Sequence, residues 1–442
     1  MVTDYKILGD AIALPFSGRS APSRFMKSAM TERLSSWDQH DPTNRGIPSD
    51  ELVRVYEEWG KGGWGIVVSG NLIVDTMNLE APGNMIIHRS QQKQDELESQ
   101  MRRLIAGSKA GGALFVAQLS HGGRQVTSAI QPNPVSASDV KLDDRMGMSF
   151  AKPTPLTEEG IRETVENFAY AAQKLHEWGA DGVQLHAAHG YLLAQFLAPS
   201  TNQRTDKYGG SVANRARIIY EIFDAIKKRV NDPKFVLAIK INSVEFQKGG
   251  FSTEESAEVC AELEKIGVDV LELSGGTYEE LAFGHRREST KKREAFFLEF
   301  SDVIVKQLQK STVWTTGGFR TAKAMVQAVQ DGATQGIGLA RPATQDFDIP
   351  RKLYTGKLDA APQGLIPEDD FGMTNLIAGT QIRQVGKGLQ PFDKSDESAV
   401  GEFKATAGKF MEAGAAAAKD GVVNAGYPDH AGSPYVPIDT AQ

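Results

Sequence analysis

His186, His189 and Tyr191 fall together in the run HAAHGY, which concentrates two imidazoles and a phenol in one short stretch. Imidazoles at this spacing serve as metal ligands, as inert structural groups or as contacts to a polar substrate. A zinc site needs a third protein ligand, and the sequence offers no clear one. A phenol titrates near ~10 and so keeps its proton at neutral pH. Other short segments carry small residues, hydroxyls, amides and cations: Ser28-Ala29-Met30-Thr31, Ser69-Gly70-Asn71, Gln118-Leu119-Ser120-His121, Lys240, Thr316-Gly317-Gly318-Phe319 and Leu339-Ala340-Arg341-Pro342.

The elements that must position them follow from hydrophobic periodicity. β-rich runs are expected at Arg24–Ala29, Gly65–Asn71, Ala113–Leu119, Asp181–His186, Phe235–Ile241, Asp269–Ser274, Thr312–Thr316 and Gln335–Leu339. Between them, Asp50–Trp59, Gln91–Lys109, Glu158–Trp178, Ala213–Arg229, Thr253–Ile266, Glu294–Lys310 and Thr321–Gln330 place apolar residues at helical spacing. Alternating strands and helices imply a parallel sheet. Eight strands favour an α/β fold of the (β/α)8 TIM-barrel type, with an open sheet as the alternative. In such a barrel the chemistry gathers at the C-terminal ends of the strands. The segments above all sit at those ends, on one rim. Their mixture suits a planar, polar, phosphorylated cofactor, with backbone N–H groups after strands seven and eight meeting the phosphate.

Ser120–Pro155 is rich in turn formers and reads as an insertion after strand three. Residues 1–360 are expected to form the barrel domain and 361–442 a C-terminal extension, helical over Gly401–Lys419 and irregular from Asn424. Gly60-Lys61-Gly62-Gly63-Trp64-Gly65 matches a dinucleotide-binding pattern, but that motif works only between a strand and a following helix. Here a helix precedes it and a strand follows, so these glycines read as a turn.

The chain has 442 residues and a formal net charge of -7. An acidic chain lacks the basic footprint of a general nucleic-acid binder. A single cysteine, Cys260, excludes an intrachain disulfide and any protein-held site needing several thiolates. The N-terminal residues lack a signal-peptide core, and no apolar run reaches the ~20 residues that span a bilayer. A cytoplasmic location and no membrane partner are expected, and a homo-oligomer is compatible with the sequence.

From His186 to Ile226 the chain reads HAAHGYLLAQFLAPSTNQRTDKYGGSVANRARIIYEIFDAI. This resembles the signature of the old yellow enzymes, FMN-dependent NADH:flavin oxidoreductases. Gln118 with HGGR, then TTGGFR and GLARP, follow in family order, and the resemblance spans Arg24 to Arg351. It implies noncovalent FMN, with NADH or NADPH as electron donor. Ala29, Met30 and Thr31 would line the flavin, the Thr31 hydroxyl near C4=O and N5. Gly70 and Gln118 would contact the ring, and Lys240 would lie near N1 and C2=O. Gly317, Gly318, Ala340 and Arg341 would hold the phosphate. His186 and His189 would donate to a substrate carbonyl or nitro oxygen, and Tyr191 would protonate Cα after hydride reaches Cβ. Ala29 and Ala340 depart from the family, which often has Pro and Gly there.

The implied activity is reduction of the activated C=C bond of an unsaturated carbonyl or nitro compound. The alternatives are a flavin-dependent dehydrogenase or desaturase in a biosynthetic step, and a flavin-free barrel lyase or binding protein. The basic run Arg286–Arg293 reads as a solvated loop, or as a contact to a nicotinamide phosphate or a second subunit.

Overall fold

Residues 5–145, 147–279 and 298–438 are described by the computed structural model. The basic run Arg286–Arg293 therefore lies outside the described residues.

Eight parallel strands close into a barrel. They are β1 (Phe25–Lys27), β2 (Ile66–Val68), β3 (Leu114–Ser120), β4 (Gly182–Ala187), β5 (Val236–Val244), β6 (Val270–Gly275), β7 (Thr312–Thr316) and β8 (Gly336–Leu339). Each pairs with the next, and β8 pairs with β1. Each falls on one of the eight β-rich runs expected from the sequence. The open sheet is excluded by the pairing of β8 with β1, which removes both edges.

Helices α1 (Asp50–Lys61), α2 (Gln94–Ser108), α3 (Glu158–Glu177), α4 (Val212–Val230), α5 (Thr253–Ile266), α6 (Leu298–Val305) and α7 (Ala322–Gln330) connect the strands. Their starts are chemically marked. Thr157, Ser211 and Thr321 each accept a backbone N–H of the first turn. Ser252 and Glu255 make a reciprocal capping box at α5, which satisfies two otherwise orphaned donors.

Strand alternation sorts the side chains into two cores. Phe25, Val67, Phe115, Val183, Leu237, Leu271 and Val313 point outward and pack beneath the helices. Met26, Ile66, Val68, Leu114, Val116, Val236, Ala238, Val270 and Trp314 fill the barrel, and Ile12, Leu14 and Ala21 of an N-terminal hairpin join them. The same inward register, continued toward the strand C-termini, turns polar: Gln118, Gln184, Lys240, Glu272 and Thr316 are all buried there. An apolar floor thus carries a polar upper layer.

The turn reading of the glycine cluster holds. α1 ends at Lys61 and β2 begins at Ile66. A Cβ on Gly60 would stand 2.0 Å from the Gly107 carbonyl, and one on Gly65 would stand 2.0 Å from the Ser23 carbonyl. These glycines let α1 approach α2, and let the chain entering β2 approach the segment that leads into β1.

Beyond Ala360 the chain does more than the sequence showed. A helix not expected from the sequence, α8 (Phe371–Gly386), packs on α1. Thr344 donates to Gln381 at 2.7 Å and helps to fix it. Helix α9 (Glu397–Lys419) closes a small separate core with α8, built on Ile377, Phe392 and Phe403. The irregular segment after it returns to the barrel. Its Tyr427 is buried and donates its hydroxyl to the Thr31 carbonyl at 2.8 Å. Gly379 makes room, since a Cβ there would meet the Tyr427 ring at 2.3 Å.

Candidate active site

A cavity of about 520 Å³ opens at the C-terminal ends of the strands. Ala29, Met30, Thr31, Gln118, His186, His189, Tyr191, Lys240, Gly317, Gly318, Ala340 and Arg341 all line it. Of the residues expected there, Gly70 alone is not on the wall. Its N–H is held by Glu32 Oε1 at 3.0 Å and Tyr56 Oη at 2.9 Å, beside the buried Lys27.

Parallel register builds the polar layer. Gln118 stands opposite Gln184, and Lys240 stands opposite both His186 and Glu272. Gln118 donates to Gln184 at 2.7 Å, and Gln184 donates to Glu272 at 2.8 Å. Thr316 donates to Glu272 at 2.7 Å, and Lys240 Nζ lies 3.0 Å from the same carboxylate. Burial raises the pKa of Glu272, but the charge of Lys240 and the three donors hold it below the ordinary value. Charge-assisted hydrogen bonds of this kind keep a buried carboxylate ionised.

The two histidines form one unit. His186 Nδ1 lies 2.7 Å from Asn71 Oδ1, which places a proton on Nδ1. His186 Nε2 then accepts from His189 Nδ1–H at 3.0 Å, and His189 Nε2 accepts from the Ser274 hydroxyl at 2.8 Å. Burial, with the nearby Lys240 charge, pushes His189 down to about 3 and His186 well below its usual range. Both rings are neutral hydrogen-bonding groups. No cluster of three or more metal-ligating side chains occurs among the described residues.

Tyr191 packs on the His186 ring, centroids 4.7 Å apart, and its hydroxyl lies 2.9 Å from that of Tyr278. Burial first, then Tyr278, raises Tyr191 well above the ordinary phenol value, so it stays protonated. Thr31 directs its proton to Glu80 Oε2 at 2.8 Å. That partner was not expected from the sequence.

At the other end, Gly317 and Gly318 take φ of 124° and 94°, which L side chains rarely adopt. Arg320 and Arg341 both contact Glu368, at 2.7 and 3.0 Å. Lys394 is buried nearby, and burial, then Arg320, pushes it down to about 8. Arg320 and Arg341 thus bring two guanidinium groups to the cavity wall beside a glycine turn. The donor set fits a dianionic phosphate at this end and a ring with polar edges against Gln118 and Lys240. These residues therefore fit FMN.

The model of the NADH:flavin oxidoreductase / NADH oxidase family matches residues 22–359. The chain belongs to this family. It is a flavin oxidoreductase of the old yellow enzyme group, with FMN as cofactor and a nicotinamide as donor. The flavin-free lyase and the binding protein are thereby set aside. The chain is 44% identical over 403 residues to the NADH-dependent flavin oxidoreductase nadA of Aspergillus parasiticus, covering 90% of each protein. It is 36% identical to the NADH-dependent flavin oxidoreductase iccE of Talaromyces variabilis, over 76% of this chain and 83% of that one. The fold resembles the old yellow enzyme homologue of Zymomonas mobilis, with TM-score 0.65 and 20% identity over 80% of this chain and 94% of that one. A 2-naphthoyl-CoA reductase aligns with TM-score 0.71 and 25% identity over 81% of this chain, which spans 55% of that longer protein.

Among the structural partners of this flavoprotein site, Gln184, Glu272, Tyr278, Arg320 and Tyr427 were not singled out from the sequence; Asn71 was named only as the polar end of strand two. Gln184 and Glu272 had a signal: a polar residue inside an otherwise apolar strand. Tyr278 and Tyr427 had none, because nothing in their local sequence marks them.

Proposed function

We propose that the chain is an ene-reductase for activated alkenes conjugated to a carbonyl or nitro group. The observation that carries this reading is the neutral His186–His189 pair, set in one cavity with a protonated Tyr191 and the cation Lys240. FMN, when bound, supplies the hydride chemistry. A substrate oxygen facing both rings displaces the His186–His189 hydrogen bond and takes the Nδ1–H of His189. His186 donates from Nε2 once Asn71 presents its amide NH2 to Nδ1. Two such donors draw electron density toward the oxygen and leave Cβ electrophilic. Tyr191 delivers a proton to Cα, and Tyr278 holds the phenol in place.

Lys240 and Gln118 face the cofactor in this reading, and Gly317, Gly318, Ala340 and Arg341 hold its phosphate. Gly70 supports that wall from behind. A cytoplasmic location fits the single thiol, Cys260, which is buried and pushed up to about 12 by burial. No helix among the described residues is long and apolar enough to cross a membrane.

Stopped-flow measurement of the two half-reactions tests the proposal. A cyclic enone should reoxidise the reduced enzyme, and Tyr191→Phe should slow that step by roughly 10²–10⁴-fold, the usual worth of a positioned acid. Flavin reduction by NADH should be nearly unchanged in the variant. Desaturation of the saturated ketone as the only turnover would favour the dehydrogenase reading instead.

A further inference from the structure

Arg33 is a cation that the chemistry above does not use. It follows β1 by a short loop and lines the cavity. Its backbone is left-handed, with φ of 56°, which is costly for a residue other than glycine. Gly83 is packed against it, since a Cβ there would meet the Arg33 carbonyl carbon at 2.9 Å. The strained backbone thus aims a long side chain inward rather than toward solvent.

The guanidinium is stacked but not paired. Its Cζ lies 4.9 Å from the centroid of the Tyr427 ring. Its Nε is buried and has no hydrogen-bond partner. Glu80, Tyr427, Tyr278 and Tyr191 are the acidic and phenolic groups whose charges it feels. Glu80 already accepts from Thr31 at 2.8 Å and from Asn84 at 3.2 Å. Among the described residues Arg33 makes no ion pair with a carboxylate within 4.0 Å. Arg320 and Arg341, by contrast, share Glu368.

A guanidinium stays charged at every relevant pH and offers a fork of donors that matches a carboxylate. Removing it from water without an anion is expensive. Against burial, the nearby Tyr427 and Glu80 favour the charged form. Neither pairs with the guanidinium directly, so its fork of donors is left to an anion brought by a ligand. We infer that Arg33 is a specificity-determining residue that pairs with a carboxylate on the alkene substrate. The natural substrate is then an unsaturated carbonyl compound that also carries an acid group. Tyr427, from the C-terminal extension, holds the guanidinium by its ring face, so the extension helps to choose the substrate. This inference rests on the ene-reductase reading.

The test uses the FMN-loaded enzyme and two probes, a cyclohexenone carboxylate and its methyl ester. Both are titrated into oxidised enzyme, and the flavin spectrum reports binding without turnover. Wild type should prefer the acid. In Arg33→Gln the acid-to-ester affinity ratio should fall roughly 10- to 100-fold, the size of one charged hydrogen bond. Arg33→Lys should restore part of it, which a packing role would not. Equal affinity for acid and ester in wild type, or an unchanged ratio in Arg33→Gln, overturns the inference. So does a variant whose flavin reduction loses NADH affinity while the ratio holds, because Arg33 would then serve the phosphates of the donor. Absence of turnover with either probe in wild type would instead sink the ene-reductase reading.

Discussion

Lys240 and Glu272 face each other across β5 and β6 inside the barrel, Nζ 3.0 Å from Oε1, with the carboxylate fully buried. The cation assigned to the flavin is therefore half of an ion pair. Glu272 also receives Gln184, which in turn receives Gln118. One carboxylate orients both Lys240 and Gln118, and in the proposed arrangement it would offset positive charge where reduced flavin gathers negative charge.

Glu272→Gln should raise the flavin reduction potential. Removing the anion leaves Lys240 free to stabilise the electron-rich ring. Each ~1.4 kcal/mol of added stabilisation is worth about 30 mV for a two-electron couple. Dye-equilibrated reduction measures it. A lower potential would contradict the assignment of Lys240 to the flavin. Thermal unfolding checks the fold, since breaking a buried pair costs about 3–5 kcal/mol.

Phenols should bind the oxidised enzyme through the histidine pair and produce a long-wavelength charge-transfer band. The phenolate oxygen would take the place of the substrate oxygen facing His186 Nε2 and His189 Nδ1, now hydrogen-bonded to each other at 3.0 Å. The double change His186→Ala with His189→Ala should abolish the band while FMN stays bound. An unchanged titration would remove both residues from the ligand site.

Stability should fall on acidification in a way that traces to these rings. His189 is pushed down from 6.5 to about 3, and His186 is also lowered. Above 6.5 both folded and unfolded states leave them neutral, so they contribute no pH dependence. Below 6.5 the unfolded chain binds protons that the native rings refuse, so native stability is lost as pH falls from about 6.5 toward about 3. The Tm of His189→Gln should decline less steeply than wild type over this window. Parallel declines would show that the ring is protonated in the native state.

Arg341→Ala should weaken FMN retention by roughly 10-fold or more, the worth of a charged hydrogen bond, with a smaller effect on Tm. Glu368→Gln should act in the opposite direction or not at all, because Glu368 competes with a phosphate for Arg320 and Arg341. Ultrafiltration followed by flavin fluorescence of the filtrate reads both. Equal weakening in the two variants would make the Arg341–Glu368 ion pair, rather than the guanidinium by itself, the binding unit.

The local sequence determined what depends on local sequence. Two-residue alternation and helical spacing set the strands and helices, and the signature from His186 onward carried the histidines, Tyr191 and the cofactor class. Lys240, Gln118 and Arg341 could be placed on the cavity rim because each lies in the C-terminal half of a barrel strand or just beyond it, where the strand ends must face the site. Closure of the barrel decided what sits behind them. Glu272 could be seen as an odd carboxylate in an apolar strand, but its partner Lys240 is fixed only by the register of β5 against β6. The rest was decided by chain segments far apart in sequence. Tyr427 reaches the Thr31 carbonyl across 396 positions, and Arg341 meets Glu368 on the extension. No local pattern records such meetings, because they are set by how α8 and the returning tail pack on the finished barrel. The same packing brings the Tyr427 ring against Arg33, and with it the charge that the cavity offers a substrate.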